Sequence, residues 1–147
     1  MFQVFTLIPV SASPPVAPDR LLSYKSDRQE SEVASGLLDP FLAYILFKAA
    51  RQWWMDNRCY LLITSVYRTP YEDEALDGHG IHPAWRAVDI HADSWTDPKI
   101  AKLADWINFQ YEYDKYRPEM LVALWEPHGD GPHLHCQTHQ NSTWRKV

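Results

Sequence analysis

The chain has 147 residues, of which 46% are hydrophobic, 22% charged and 14% aromatic. This length and composition suit one globular domain over residues 1–147 and exclude a disordered or fibrous protein. Lys and Arg number 14 against 19 Asp and Glu, which leaves a formal net charge of −5. A basic surface able to hold a phosphate backbone is therefore not expected, and we predict no nucleic acid partner.

The sequence also predicts no membrane insertion, because no apolar run approaches the roughly 18 to 20 residues that cross a bilayer. The apolar start, residues 1–10, has no Lys or Arg before it and is short for a signal sequence. We interpret it as a strand, with a secretory signal as the alternative, and predict synthesis in the cytoplasm. Cys59 and Cys136 are the two cysteines, which indicates a reduced compartment or one bridge at most.

The chain divides into an N-terminal extension, residues 1–38, and a core, residues 39–147. After the first predicted strand, residues 11–19 are rich in proline and predict an extended surface connection. Residues 21–38 are polar and of mixed charge, with a weak helical tendency.

The core begins with a helix-start signal, Asp39-Pro40, in which an acid caps the helix and proline takes its first position. Apolar residues then recur at three- and four-residue spacing and predict a helix to about Asn57 with one buried face. The branched and aromatic run over residues 60–66 predicts a core strand. The polar segment over residues 72–80 predicts a loop.

The second half of the core repeats these signals. Residues 86–92 alternate and predict a short strand. Asp97-Pro98 starts a second amphipathic helix that reaches toward Tyr111. Residues 120–125 and 133–138 predict two strands joined by a turn rich in glycine and proline. Helices and strands without regular alternation predict an α+β fold with a small, mainly antiparallel sheet and flanking helices.

The histidines are the most informative feature, since all seven follow residue 78. They are His79, His82, His91, His128, His133, His135 and His139. Imidazole nitrogens and carboxylate oxygens are ordinary zinc ligands, and a catalytic zinc site uses three protein ligands and leaves the fourth position to water. Clustering of this kind predicts a metal site if side chains from several elements converge.

The first candidate pair is His82, on a loop, and Asp89, seven residues later on a strand. A turn between them would bring both side chains to one ion. The alternative is a surface His and an Asp paired with an Arg. In the second segment, alternation puts His133, His135 and Gln137 on one strand face. This row either binds a metal or is the solvated face of a sheet.

Three blocks occur in order along the chain: Ser65-x-Tyr67-Arg68-Thr69, the frame His-x-x-x-Arg-Ala-x-Asp from His82 to Asp89, and Asp130-Gly-Pro-His-Leu-His. Together they resemble the zinc D-Ala-D-Ala carboxypeptidase and L-alanyl-D-glutamate endopeptidase family. Many phage endolysins belong to this family, and its fold is shared with the hedgehog signalling domain. The resemblance covers about residues 60–139.

The resemblance implies a hedgehog/DD-peptidase-like α+β domain that holds one Zn²⁺ with two His and one Asp. It implies hydrolysis of peptide bonds in the stem or cross-link peptides of bacterial peptidoglycan. His82 and Asp89 match the first two ligands. The His-x-His form points to His135 as the third ligand and leaves His133 to assist the transition state. In endolysin-like members an acid stands three residues before the ligand, and Asp130 has that relation to His133 instead.

Two further positions follow from the same resemblance. Arg68 matches an Arg that contacts the substrate or the developing oxyanion, and a salt bridge with Glu72, Asp73 or Glu74 is the alternative. Trp85 stands where the family usually has Gly. The loop before the ligand Asp must therefore take a different path, or the pocket is reshaped.

A zinc-bound water has a pKa of about 7 and needs a nearby group to accept its proton. Asp130 and Glu126 are the candidates for this base, since both lie on the segment that leads into the His133 strand. The alternatives are that Asp130 only forms the turn and that Glu126 is only solvated.

We therefore predict a monomeric, phage-derived zinc metallopeptidase, made in the cytoplasm and acting on cell-wall peptides of bacteria as a carboxypeptidase or an endopeptidase. The alternative is a non-catalytic zinc-stabilised binding or structural protein of the same fold. A third hypothesis is a zinc-free globular protein whose histidine row is a polar sheet face.

Overall fold

The protein was analysed as a computed structural model that describes residues 20–76, 80–127, 129 and 131–145. The strand predicted over residues 1–10 and the connection predicted over residues 11–19 lie outside this part of the chain.

The described residues form short strands and four helices. The helices are α1 (Asp27–Ala34), α2 (Pro40–Asn57), α3 (Pro70–Ala75) and α4 (Pro98–Gln110). The strands are β1 (Leu22–Tyr24), β2 (Leu61–Ser65), β3 (Ala87–His91), β4 (Tyr111–Glu112), β5 (Ala123–Leu124), β6 (His133–Gln137) and β7 (Thr143–Trp144).

The main sheet has five strands in the order β1-β2-β3-β6-β5. β1 runs parallel to β2, and every other neighbouring pair is antiparallel. β4 and β7 pair separately as a two-stranded antiparallel sheet. The predicted α+β class, with a small and mainly antiparallel sheet flanked by helices, is confirmed.

The two long helices begin where the Asp-Pro signals predict. The Asp39 side chain accepts a hydrogen bond from the Leu42 backbone N at 3.0 Å, and Asp97 does the same for Lys99 at 2.9 Å. Each helix buries one apolar stripe against the sheet and the other helix. The buried residues are Leu42, Ile45, Leu46, Ala49, Ala50 and Trp53 on α2 and Ile100, Leu103, Ala104 and Ile107 on α4.

Helix α2 ends at Arg58, whose φ of 56° lies in the left-handed region. A residue with a Cβ pays a conformational penalty there, and glycine does not. We expect Arg58→Gly to raise the free energy of unfolding by about 0.5 to 1 kcal/mol, measured by urea denaturation. Arg51→Gly, at an exposed position inside the same helix, should instead lower it by about 1 kcal/mol. A loss of stability in Arg58→Gly would contradict the assignment of strain.

The loop predicted over residues 72–80 is wrong in its first part, because α3 includes Glu72 to Ala75. The Thr69 side chain accepts from the Glu72 backbone N, and the Glu72 side chain accepts from the Thr69 backbone N. This reciprocal capping, with proline at the first helical position, stabilises a helix too short to show an apolar period. Residues 77–79 lie outside the described part of the chain.

Other boundaries also differ from the prediction. Residues 21–38 contain β1 and α1, and α1 has no buried residue, which explains its weak pattern. The strand predicted over residues 120–125 is shorter: β5 pairs with β6, and the Val122 carbonyl next to it accepts from the Gln137 N at 2.8 Å. The second amphipathic helix ends at Gln110, and Tyr111 begins β4. For the strands β1, β4 and β5, the pairing partner, which is distant in sequence, sets the boundary.

The hydrophobic core lies between the main sheet and helices α2 and α4. Fully buried members of this core include Leu42, Ile45, Ile63, Ile90, Ile107 and Leu134. Among the described helices, none is both long and apolar enough to cross a membrane.

Candidate metal centre

The pairing of β3 with β6 brings the predicted site residues together. Asp89 lies directly opposite His135, and His91 lies opposite His133. His82 lies in the turn that leads into β3. That turn is closed by hydrogen bonds from the Trp85 N to the His82 carbonyl at 2.9 Å and from the Arg86 N to the Ile81 carbonyl at 3.1 Å. Two segments distant in sequence therefore meet at one carboxylate.

Asp89 Oδ1 lies among three imidazole rings. It is 2.8 Å from His135 Nδ1, 3.4 Å from His82 Nε2 and 3.8 Å from His133 Nε2. One ligand atom from each of His82, Asp89 and His135 lies within 4.8 Å of the others. Zinc binds nitrogen and oxygen ligands at about 2.0 to 2.2 Å, so small side-chain movements would bring these three onto one ion.

Backbone carbonyls orient two of the rings. His82 Nδ1 lies 2.7 Å from the Val66 carbonyl oxygen, and His133 Nδ1 lies 2.9 Å from the Gly131 carbonyl oxygen. A carbonyl oxygen only accepts hydrogen bonds, so each Nδ1 carries a proton and donates it. In the neutral rings Nε2 then carries the lone pair, and in both residues this atom faces Asp89 Oδ1.

His82 presents a buried ring nitrogen that could coordinate a cation. Its side chain is 3% exposed, and among the described residues its Nε2 has no hydrogen-bond partner. Asp89 Oδ1, which is also an acceptor, lies 3.4 Å from this nitrogen. Two buried acceptors that face each other are unfavourable unless a proton or a metal ion lies between them. The donor set therefore fits a divalent cation.

The Asp89 carboxyl is buried and ionised. Burial alone raises its pKa, whereas the hydrogen bond from His135 lowers it and a proton held at His82 Nε2 would lower it further, so that the pKa lies well below its ordinary value. Its second oxygen, Oδ2, accepts a hydrogen bond from Arg68 Nη2. One carboxylate oxygen thus faces the imidazoles while the other is held by a guanidinium, as expected for a ligand oriented by a neighbouring group.

Arg68 lies between two buried acids and is 19% exposed. Besides Asp89, it approaches Asp73 Oδ1 with its Nη1 at 3.8 Å. Of the three acids considered for a salt bridge with Arg68, Asp73 is the one that lies close. The predicted contact of Arg68 with a substrate or an oxyanion stays a prediction.

Helix α1 secures the segment that carries Arg68. The Tyr67 backbone N donates to Glu32 Oε2 at 3.2 Å, and the Tyr67 carbonyl accepts from Arg28 Nη2 at 3.2 Å. Arg28 also binds Glu72, and this hydrogen bond is the main cause that lowers the pKa of Glu72 to about 2. Both backbone polar groups of Tyr67, the residue before Arg68, are therefore held by α1.

A cavity of about 1060 Å³ opens beside Asp89. Its lining includes residues from all three sequence blocks, namely Ser65, Arg68, His82, Asp89, His133 and His135. Glu126, one candidate base, is exposed and lines this cavity. Asp130, the other candidate base, and His128 lie outside the described residues.

The other described histidines do not belong to the group of three, although His133 Nε2 lies 3.8 Å from Asp89 Oδ1. His91 is exposed and lies 3.2 Å from Asp93. His139 lies 3.5 Å from Asp114 and accepts a hydrogen bond from the Asn141 backbone N at 3.3 Å. His133 packs against Trp95 with ring centroids 5.7 Å apart, and Trp95 packs on Trp125 at 5.6 Å. These two tryptophans form an aromatic surface next to His133.

Trp85 has a φ of 58°, in the left-handed region that glycine favours. The expectation that the loop takes a different path from the family's stays a prediction. The Trp85 ring stacks on Tyr67 with centroids 4.6 Å apart and planes 17° from parallel. The ring is absent from the described lining of the cavity, so the prediction of a pocket reshaped by Trp85 gains no support.

We expect both Trp85→Ala and Trp85→Gly to lower the free energy of unfolding, because each removes the stack and the partly buried ring. The glycine variant should be the more stable of the two by about 1 kcal/mol, since only the alanine variant keeps the left-handed strain. Paired urea denaturation curves would measure the difference. An alanine variant as stable as the glycine variant would contradict strain at this position.

Sequence reasoning missed two parts of the site. The Val66 carbonyl, which orients His82, carries no signal because every residue has a carbonyl. Asp73 was named only as one of three acids near Arg68, and its burial depends on α3, whose capping pair Thr69 and Glu72 was the signal that could have placed it.

Comparisons of the chain with protein-family models, with curated proteins and with solved structures find no match. The case for a function therefore rests on the geometry of the site.

Proposed function

We propose that this chain is a zinc-dependent peptidase that hydrolyses peptide bonds in the stem or cross-link peptides of bacterial peptidoglycan. The observation that carries the proposal is the buried Nε2 of His82, which faces Asp89 Oδ1 beside His135. Two imidazoles and one carboxylate are a donor set that suits zinc and leaves a position for water.

The cavity supports this proposal. The three blocks that resemble the zinc D-Ala-D-Ala carboxypeptidase and L-alanyl-D-glutamate endopeptidase family are separated in sequence, yet residues of each line the same space. At about 1060 Å³, the cavity has room for several residues of a peptide beside the metal position. Membership in that family and action at the cell wall are part of the proposal.

Three side chains around the proposed metal position would take part in hydrolysis. When bound, zinc would activate a water molecule and polarise the scissile carbonyl. His133, held through Nδ1 by the Gly131 carbonyl, presents Nε2 toward the centre and can accept or deliver a proton there. Glu126 is a second proton acceptor on the cavity lining. Arg68 keeps Asp89 in its ligand orientation through Oδ2.

The test is hydrolysis of purified peptidoglycan. The protein would be loaded with one equivalent of zinc and incubated with sacculi from several bacteria, and released muropeptides would be identified by mass spectrometry. We expect new peptide ends whose masses identify the bond and separate endopeptidase from carboxypeptidase action. A chelator should stop the release and added zinc should restore it. Zinc-loaded protein that releases nothing from any sacculus would reject the peptidase.

One observation favours a non-catalytic zinc-stabilised protein as the second candidate. Arg68 is mostly buried and is bound to Asp89. In this position it orients a ligand of the metal site and is not directed at a substrate. In that case zinc would raise the melting temperature while peptidoglycan stays intact. Binding at a hundred times Kd stabilises by about 2.7 kcal/mol, so a thermal melt with and without chelator would detect it. A chelator without effect on the melt would reject both candidates.

A further inference from the structure

Asp73 carries an unexplained buried oxygen. The residue is 3% exposed and lines the cavity from α3. Its Oδ2 accepts a hydrogen bond from the Gly80 backbone N at 2.8 Å, in the turn just before His82. Its Oδ1 has no hydrogen-bond partner among the described residues and lies 3.8 Å from Arg68 Nη1. A buried carboxylate oxygen without a donor is costly, so its position needs a reason.

Arg68 supplies that reason. Its guanidinium holds Asp89 Oδ2, which places a positive charge one carboxylate away from the proposed metal position. That charge repels a divalent cation at short range. Asp73 and Asp89 are the buried acids that the structure describes around the cavity, and Arg68 neutralises one of them. Asp73 therefore leaves the centre with a net negative charge.

We infer that Asp73 is a positioning residue of the metal centre: its charge balances Arg68, so that the guanidinium can orient Asp89 without repelling the cation. Through Oδ2 it also fixes the turn that presents His82. This inference deepens the proposed function and rests on the metal site proposed there. It assigns Asp73 to metal affinity and not to contact with substrate.

Zinc affinity tests the inference without any need for hydrolysis. Dissociation constants would be measured by competition with a chromophoric chelator for the wild type, Asp73→Asn, Arg68→Gln and the double variant. Asn keeps an acceptor for the Gly80 N–H and removes the charge. We expect the single variant Asp73→Asn to bind zinc about 10- to 100-fold more weakly than the wild type does. The double variant has the same net charge at the centre as the wild type, so it should bind zinc more tightly than Asp73→Asn, because the guanidinium that Asp73 balances is gone.

Asp93→Asn is the matched control, since Asp93 lines the same cavity but is exposed. Its charge is screened by water, so zinc affinity should change less than about twofold. If Asp73→Asn binds zinc as tightly as the wild type, or if the double variant binds zinc no more tightly than Asp73→Asn, the inference is overturned. Asp73 would then act only through the Gly80 N–H or through the fold.

Stability gives a second measurement if Asp73→Asn melts below the assay temperature. The double variant would then be examined by circular dichroism and zinc competition. Recovery of both folding and zinc binding in the double variant supports the inference, because it traces the defect to an uncompensated guanidinium. A double variant as unstable as the single one overturns it. Failure of the wild type to bind zinc would instead reject the proposed metal site, and the inference with it.

Discussion

His82→Ala is expected to abolish stoichiometric zinc binding and to lower the rate of peptidoglycan hydrolysis at least about a hundredfold. The substitution removes the buried Nε2 that faces Asp89 Oδ1 and leaves the group with two protein ligands. Metal content would be measured by inductively coupled plasma mass spectrometry after dialysis, and hydrolysis by muropeptide release.

His91→Ala is the control for this experiment. It removes an imidazole that lines the same cavity but lies outside the group of three. We expect it to keep zinc at one equivalent and to keep most of the activity. Wall-lytic activity that survives His82→Ala, or zinc that is lost equally in both variants, would reject His82 as a ligand.

Asp89→Asn should lower the free energy of unfolding of the metal-free protein by about 3 kcal/mol. Asp89 is 3% exposed and contacts Arg68, His135 and His82. Removal of its charge leaves the guanidinium of Arg68 largely buried without this partner, and the desolvation cost of that group is no longer compensated. Urea denaturation in the presence of chelator would measure the loss.

The comparison for Asp89→Asn is again Asp93→Asn, which removes an exposed carboxylate beside the same cavity. Its free energy of unfolding should stay within about 0.5 kcal/mol of the wild type. If the two variants differ by less than about 1 kcal/mol, Asp89 is not the buried counter-charge described above. We also expect that zinc does not give Asp89→Asn the increase in the free energy of unfolding that it gives the wild type.

The parts of the fold that could be predicted are those whose signals are local. Asp39 and Asp97, each followed by proline, cap helices whose apolar spacing extends over several turns. Such a stripe is visible in the sequence because every turn repeats it. The alternation in residues 86–92 and 133–138 likewise predicted β3 and β6.

The elements that were missed depend on short or distant interactions. β1 is held by its parallel pairing with β2, through bonds such as Lys25 N to the Ile63 carbonyl at 2.9 Å. α3 depends on the capping pair Thr69 and Glu72 and on Arg28 from α1. Neither has enough residues to produce a period, so hydrophobic spacing does not reveal them, and the capping pair is the local signal for α3.

The types of the ligands and the face they share were readable from the order of residues, because alternation along a strand is a local property. Which histidine meets Asp89 was not, since that depends on the register of two strands 46 residues apart, and this register sets His135 opposite Asp89 and His133 opposite His91. The tertiary structure also supplied the Val66 carbonyl that directs His82 and the burial of Asp73 beside Arg68. Contacts of this kind arise only when the sheet and α3 pack together, because they join groups that no sequence period relates.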